Sequence, residues 1–338
     1  MKILIVGFGA SGQRFAETLR GMNIPDLELW VHSRSMDIKL IQTDLQSYKP
    51  GDPFKHYNCN FLEDMSNVSN LGFKFAIIAT TPNSHFEIAR NLLTNGIPCM
   101  IEKPLALTQD ESAVLLALAA KADLALHVCY QSKFHPMLDV LKTYSTTNYI
   151  GTQHFAIFNY CELISSMQPF RKELTNHELN QGLSGGVAFS LSHELYFLTQ
   201  VLDSQLDFSG ISKKGIENNT NDAILQINAT FKGEISGNSF PCFLNLDLLT
   251  WPPNRKGAIH GNKGSLSWDW IEQTVTLESI EAGIEFWDFS KTSRKEIQAL
   301  QLKYFIDIVH TTNYDNTDSE KWLKVVEIAT ILSSLPKI

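Results

Sequence analysis

The sequence predicts an α/β fold. An N-terminal Rossmann-type doubly wound parallel sheet is followed by an α/β domain with a large, mostly antiparallel sheet. Three observations carry this. Over the first 130 residues, continuous apolar runs alternate with helix-like segments, the pattern of a parallel sheet covered on both faces. After about Gly151 the runs give way to period-two alternation, which marks a sheet with one buried and one more polar face. The 338 residues also exceed what one ordinary core organises. The expected division is residues 1–124 and 125–338.

The first strand is KILIVG (2–7), followed by a helix over 11–20 that Gly21 stops. LELWVHS (27–33), FKFAIIATT (73–81), IPCMIE (97–102) and ADLALHVCY (122–130) are the next strands. The stretch 42–70 is harder to read, with a short strand expected near 56–58. Ser84 and Glu87 have capping-box spacing, and Gly96 closes that helix; Thr108 and Glu111 repeat the box before an Ala/Leu-rich helix. In the second domain, DAILQINATF (222–231) places Ala223, Leu225, Ile227, Ala229 and Phe231 on one side, and CFLNLDLL (242–249) alternates in the same way. Helices over 300–308 and 321–332 close the chain.

Composition excludes several classes. A net charge of −8 offers no basic field for nucleic acid and no polybasic membrane patch. The longest apolar run, 113–120, is far too short to span a bilayer. The five cysteines are scattered without a CxxC, so neither a disulfide framework nor a metal site is expected, and the reading is a reducing, cytoplasmic location.

The chemistry begins at VGFGASGQRF (6–15). Gly7, Gly9 and Gly12 form GxGxxG between a strand and a helix. The first glycine serves the tight turn, the second the approach of a pyrophosphate, and the third close packing of helix on strand. Gly7, Gly9, Ala10, Ser11 and Gly12 are therefore expected to bind a dinucleotide at the helix N-terminus. The next strand ends in HSRS (32–35), without the carboxylate that holds a ribose 2′-OH. Ser33 and Arg34 there suit a 2′-phosphate, so NADP is favoured over NAD, with Asp37 as a late acidic partner for the alternative. MIEKPLAL (100–107) follows a strand that should end at the same edge, and puts Lys103 where its ammonium reaches a substrate oxygen.

Taken together, GFGASG (7–12), ATTPNSHFEIA (79–89), IEKPLAL (101–107), YQSKFHP (130–136), IGT (150–152), SGGVAFSLSHEL (184–195) and HGNKGSLSWD (260–269) resemble the glucose–fructose oxidoreductase / inositol dehydrogenase / MocA family over nearly the whole chain. The resemblance implies NAD(P)-dependent oxidation or reduction at a hydroxyl or carbonyl carbon of a sugar, sugar derivative or cyclitol, by a homodimer or homotetramer packed through the large sheet. It implies cofactor contacts from Thr80, Thr81, Asn83, His85, Glu102 and Lys103, with Lys103 also touching substrate. Gln131 and Lys133 stand where the family often has Asn and Arg.

The resemblance also makes His193 the catalytic acid/base. From Gly186 to Asp203 the chain reads as one helix, with Val187, Leu191, Leu195, Leu198 and Leu202 as its apolar stripe. Ser190, His193 and Phe197 project to another side, and the competing reading is a histidine packed beside Phe197. The family usually carries a carboxylate one turn before this histidine, where this chain has Ser190; Glu194 or Glu162 are the candidate replacements. Tyr160, Gln168 and Arg171, after the first strand of the second domain, are expected at the substrate with Ser190, Arg171 facing a phosphate or carboxylate. GLSGG (182–186) also fits GxSxG, but the polar segment before it is not the strand a nucleophile elbow needs. The alternative function is a sensor that binds NADP(H) and a sugar without turnover.

Overall fold

The computed structural model describes residues 1–41, 47–167, 185–202, 207–215, 223–310 and 318–334. The chain forms two compact units, one of residues 1–130 with 294–326, the other built mainly from 131–167 and 185–293.

In the first unit, β1 (Lys2–Val6) leads through the glycine turn into α1 (Ala10–Gly21) and then β2 (Glu28–His32). Two short strands, β3 (Leu40–Ile41) and β4 (Tyr48–Lys49), pair with each other. The stretch that was hard to read holds α2 (Pro53–His56) and β5 (Cys59–Phe61) instead of a strand at 56–58. The reason is local: the Asp52 carboxylate accepts from Phe54 N at 2.8 Å and Pro53 occupies the first helical position, so a helical turn forms and delays the strand. β6 (Phe75–Ile78), α3 (His85–Thr94), β7 (Cys99–Ile101), α4 (Gln109–Lys121) and β8 (Leu126–Val128) complete the alternation.

These strands make a six-stranded sheet of order β5-β2-β1-β6-β7-β8, with every pair parallel. Because β8 pairs with β7, this unit continues past the expected boundary at 124. Its core takes in Ile3, Ile5, Phe15, Leu29, Phe75 and Ile77, and also Leu302 and Phe305 from far along the chain. Thr108 caps α4 as expected, its side chain accepting from Glu111 N. Gly96, at φ +76°, closes α3, with its N–H to Leu93 O and that of Ile97 to Leu92 O.

The second unit begins with α5 (Pro136–Ser145), β9 (Gln153–Cys161) and α6 (Ile164–Met167). Next come α7 (Gly186–Ser190) and α8 (Ser192–Val201). Seven strands follow: β10 (Asp207–Gly215), β11 (Ile224–Ile235), β12 (Asn238–Asp247), β13 (Asn254–Gly261), β14 (Gly264–Asp269), β15 (Thr274–Ser279) and β16 (Gly283–Asp288). The eight-stranded sheet has order β10-β11-β12-β9-β13-β14-β15-β16, antiparallel except for β12 with β9. Ala223, Leu225, Ile227, Ala229 and Phe231 are all buried, as the alternation predicts. On the other face one row runs through Phe243, Ile157, Ala258, Ser267, Thr276 and Phe286 by direct pairing. The row carries no charge, and Phe243, Ile157 and Phe286 are exposed.

The closing helices are α9 (Arg294–Val309) and α10 (Ser319–Ser334). α9 belongs to the first unit, whereas the expected division assigned all of 125–338 to the second. Phe305 packs edge-on against Phe75, with ring centroids 5.1 Å apart. Among the described residues no helix is long and apolar enough to cross a membrane, and no cluster of side chains could hold a metal.

Candidate active site

The first group of site residues lies at the carboxyl ends of the parallel strands. Gly7 has φ +92°, and a Cβ there would sit 2.6 Å from Ala79 O. Gly12 packs so closely that a Cβ would overlap the Gly7 carbonyl oxygen. Gly9 is the reverse case: a Cβ there would meet nothing within 4 Å, so its face is open. α1 starts at this point with no capping side chain and no acidic residue in its first turn. α4, by contrast, has a threonine cap with Asp110 and Glu111 in its first turn. Uncapped amides and an undiminished dipole at α1 suit an anion, so the residues present fit a dinucleotide pyrophosphate. Ala10 and Ser11 are half-buried beside it.

β2 ends as the sequence predicts, without a carboxylate of its own. His32 is fixed by its Nδ1 at 2.9 Å from Leu62 O, Ser33 is half-buried and Arg34 is exposed. Asp37 is turned by a bond from its N–H to Ser35 Oγ at 3.0 Å. Asp64, in the loop after β5, adds negative charge near His32. Hydrogen bonds from Ser66 hold its carboxyl below the usual range.

The turn after β6 differs from expectation. Ser84 does not cap α3; its Oγ lies 2.8 Å from both Thr80 Oγ1 and Thr81 O and closes the turn instead. Thr81 donates to Asn83 Oδ1 at 2.8 Å. His85 is fully buried, so its side chain presents no surface to a ligand and the expected cofactor contact is corrected. Its Nδ1 is 2.7 Å from Pro104 O and its Nε2 3.2 Å from Thr80 O. A neutral imidazole has one N–H, and the shorter contact, to Pro104 O, ties His85 to the turn that carries Lys103. Burial lowers its pKa, against the pull of both carbonyls. Glu102 is tied to β6 by its N–H to Ile78 O, and its carboxylate accepts from Lys103 N at 3.3 Å. The Lys103 side chain is half-buried.

The second group lies in the other unit. Gly185 and Gly186 have φ +76° and +74°, which explains the double glycine: side chains are strained in that region. The segment is not one helix, because it breaks at Leu191 between α7 and α8. The predicted stripe of Val187, Leu191, Leu195, Leu198 and Leu202 is buried. Ser190 and His193 are half-buried, while Phe197 is buried against Trp268 and Trp270 at 5.4 and 5.2 Å. Phe197 lies four residues past His193 in α8 and so on the same side of that helix, but it is packed inward while His193 is half-buried.

Glu194 does not serve His193. One residue along a helix turns the side chain by about 100°, and Glu194 is buried in an ion pair with Arg255 of β13. Burial opposes the charge on Arg255, but Glu194 and then Glu162 outweigh it and raise its pKa. Glu194 is thus committed to Arg255, and Glu162 adds its negative charge nearby. Tyr160, opposite Arg255 in the ladder, is fully buried, so it is not exposed to a substrate as expected. Burial and then Glu194 push its phenol well up. Gln131 and Lys133 are half-buried in a single turn of 3₁₀ helix. Gln168 and Arg171 lie outside the described residues.

Such a strand–glycine turn–helix arrangement, at the edge of a parallel sheet, defines a dinucleotide-binding domain. Residues 1–130 match the GFO_IDH_MocA model, described as an oxidoreductase family with an NAD-binding Rossmann fold. A curated relative, UDP-N-acetylglucosamine 3-dehydrogenase from Acidithiobacillus ferrooxidans, is 28% identical over 83 residues, covering 24% of this chain and 26% of that protein. Solved structures share the fold along the whole chain. Biliverdin reductase from Synechocystis sp. PCC 6803 is 18% identical at a TM-score of 0.75, covering 98% of this chain and 97% of that one. The A. ferrooxidans dehydrogenase is 16% identical at 0.72, covering 98% and 96%. A levoglucosan dehydrogenase is 13% identical at 0.75, covering 100% of both.

Proposed function

We propose that the chain is an NAD(P)-dependent oxidoreductase moving hydride between the nicotinamide and a hydroxyl or carbonyl carbon of a sugar, sugar derivative or cyclitol. The observation that carries it is the open, uncapped N-terminus of α1 beneath Gly9, at the edge where Lys103 also emerges. The names of two relatives, a UDP-N-acetylglucosamine dehydrogenase and a levoglucosan dehydrogenase, support the sugar-like class. The bound nicotinamide supplies or accepts the hydride. Lys103 holds the reacting oxygen and stabilises its developing negative charge. His193 accepts the hydroxyl proton in oxidation and returns it in reduction. Ser190, half-buried one turn earlier, hydrogen-bonds substrate without adding charge. Arg171 faces an anionic group of the substrate. Ser33 and Arg34 favour NADP over NAD through the 2′-phosphate. The uncharged outer row of the eight-stranded sheet packs two copies into a homodimer, or four into a homotetramer.

The test is purified protein with NADP⁺ or NAD⁺ and a panel of sugars, nucleotide sugars and cyclitols, followed by absorbance of the reduced cofactor. Turnover should disappear in Lys103→Ala and in His193→Ala. Unimpaired turnover in His193→Ala would sink its role. Tight cofactor binding with no turnover across the panel would favour the sensor, and tighter binding of NAD⁺ than NADP⁺ would contradict the reading of HSRS.

A further inference from the structure

Arg14 lies in α1, a little over one turn past the helix start, where a cation runs against the dipole. Its Nη2 donates to Ser11 Oγ at 2.9 Å. Its Nε is buried with no hydrogen-bond partner among the described residues. No carboxylate lies within ion-pair distance of it among the described residues. Burial first, and Arg294 second, lower its pKa to about 10, and the attraction of Glu102 offsets this only in part. At pH 7 the group is still charged. The fold therefore keeps a half-buried guanidinium, with its Nε shut off from water, near a second arginine, which is unfavourable without a counter-ion.

The counter-charge this geometry suits is an anion at the start of α1. A guanidinium only donates, so Ser11 Oγ must accept from Arg14. The Ser11 hydroxyl hydrogen is then left to point elsewhere, and no acceptor for it appears among the described residues. Ser11 is the second helical residue of α1, in the glycine loop whose amides are uncapped.

We propose that Arg14 is a further cofactor-anchoring residue: its charge is neutralised by the pyrophosphate bridge that NAD and NADP share, and it orients the Ser11 hydroxyl to donate to a phosphate oxygen. This rests on the dinucleotide reading above. It separates two arginines by the phosphate each serves, with Arg34 on the 2′-phosphate and Arg14 on the bridge. It also makes Arg14 a residue that the cofactor-free fold tolerates at a cost to its stability.

The test compares wild type, Arg14→Met, Arg14→Lys and Arg34→Ala by fluorescence titration with NADPH and NADH, and by thermal midpoint with and without cofactor. Arg14→Met is expected to weaken both cofactors by the same factor, about tenfold to a hundredfold, the range of hydrogen bonds to charged groups. Arg34→Ala should weaken NADPH alone. Cofactor-free Arg14→Met should melt no lower than wild type while losing much of the midpoint gain on adding NADPH. Arg14→Lys, which keeps the charge without the planar fork, should fall between. Unchanged affinities in Arg14→Met overturn the proposal, as does a loss confined to NADPH. A lower cofactor-free midpoint with the cofactor-induced gain intact overturns it in favour of a structural tether. If wild type binds neither cofactor, the dinucleotide reading itself fails and takes the proposal with it.

Discussion

The two sheets handle their surfaces in opposite ways. In the parallel sheet, β6 is buried at every position and β1 at all but its first, so the centre of the sheet leaves no face for a ligand. Chemistry is confined to the strand ends, where backbone turns decide what is exposed. In the eight-stranded sheet β11 and β12 alternate between buried and exposed, so one face takes α7 while the other stays open, with one uncharged row across it. The first sheet thus supports its site through glycines and backbone bonds. The second supports its site through side chains, above all the Arg255–Glu194 pair that ties the His193 helix to β13. A backbone-built site should break on adding one carbon atom, and a side-chain-built site on removing one partner.

The largest effect is expected at Gly12. Gly12→Val places its Cβ into the Gly7 carbonyl, so cofactor binding should be lost altogether by titration and stability should fall by about 1–3 kcal/mol. Retained affinity would show that the helix does not need this close approach.

The ion pair comes second. Arg255→Ala leaves Glu194, whose side chain is 4% exposed, stranded in the core. That costs ~3 kcal/mol in urea unfolding. Glu194→Ala should cost clearly less, because the Arg255 side chain is 36% exposed and can reach water. Equal losses would mean that the pair is not asymmetrically buried.

The third test concerns His85. His85→Asn keeps a donor at the position of Nδ1, and should retain the Lys103 turn and most activity. His85→Phe should lose kcat while keeping a folded core. Burial depresses the His85 pKa below 6.5, so its contribution to stability is complete above 6.5 and is lost as pH falls from there toward the folded value. Both variants should flatten that acid-side slope, read from midpoints between about pH 5 and 7.

The smallest effect on stability belongs to the outer face. Phe243→Lys, at a side chain 45% exposed, should change unfolding by no more than about 0.5 kcal/mol. Under the proposed homo-oligomer it should nevertheless lower the mass read by light scattering. An unchanged mass would remove this face as the interface.

Much of the first sheet was legible because its signals are local. Apolar runs, the GxGxxG spacing and the Thr108 cap depend on neighbours within a turn or two. Both alternating strands were legible for the same reason. What escaped depends on partners far along the chain. Ser84 had the spacing of a cap, but Thr80 and Thr81 offered its hydroxyl nearer partners. His85 and Tyr160 had suitable chemistry, yet burial is set by packing that spacing does not reveal. Glu194 went to a strand 61 residues away. Arg14 had one readable sign, a cation early in a helix, but only the structure shows that it has no carboxylate partner among the described residues.

The course of the chain carries one last consequence. Leu302 and Phe305 sit in the same core as Ile3 and Ile5. During synthesis the N-terminal half therefore cannot close its hydrophobic interior when residue 130 emerges. It must wait, partly open, while the whole antiparallel sheet is made. Domains more often fold as units in the order they are synthesised; here the unit begun first waits for residues 294–326, and its unfinished face is what a chaperone would meet.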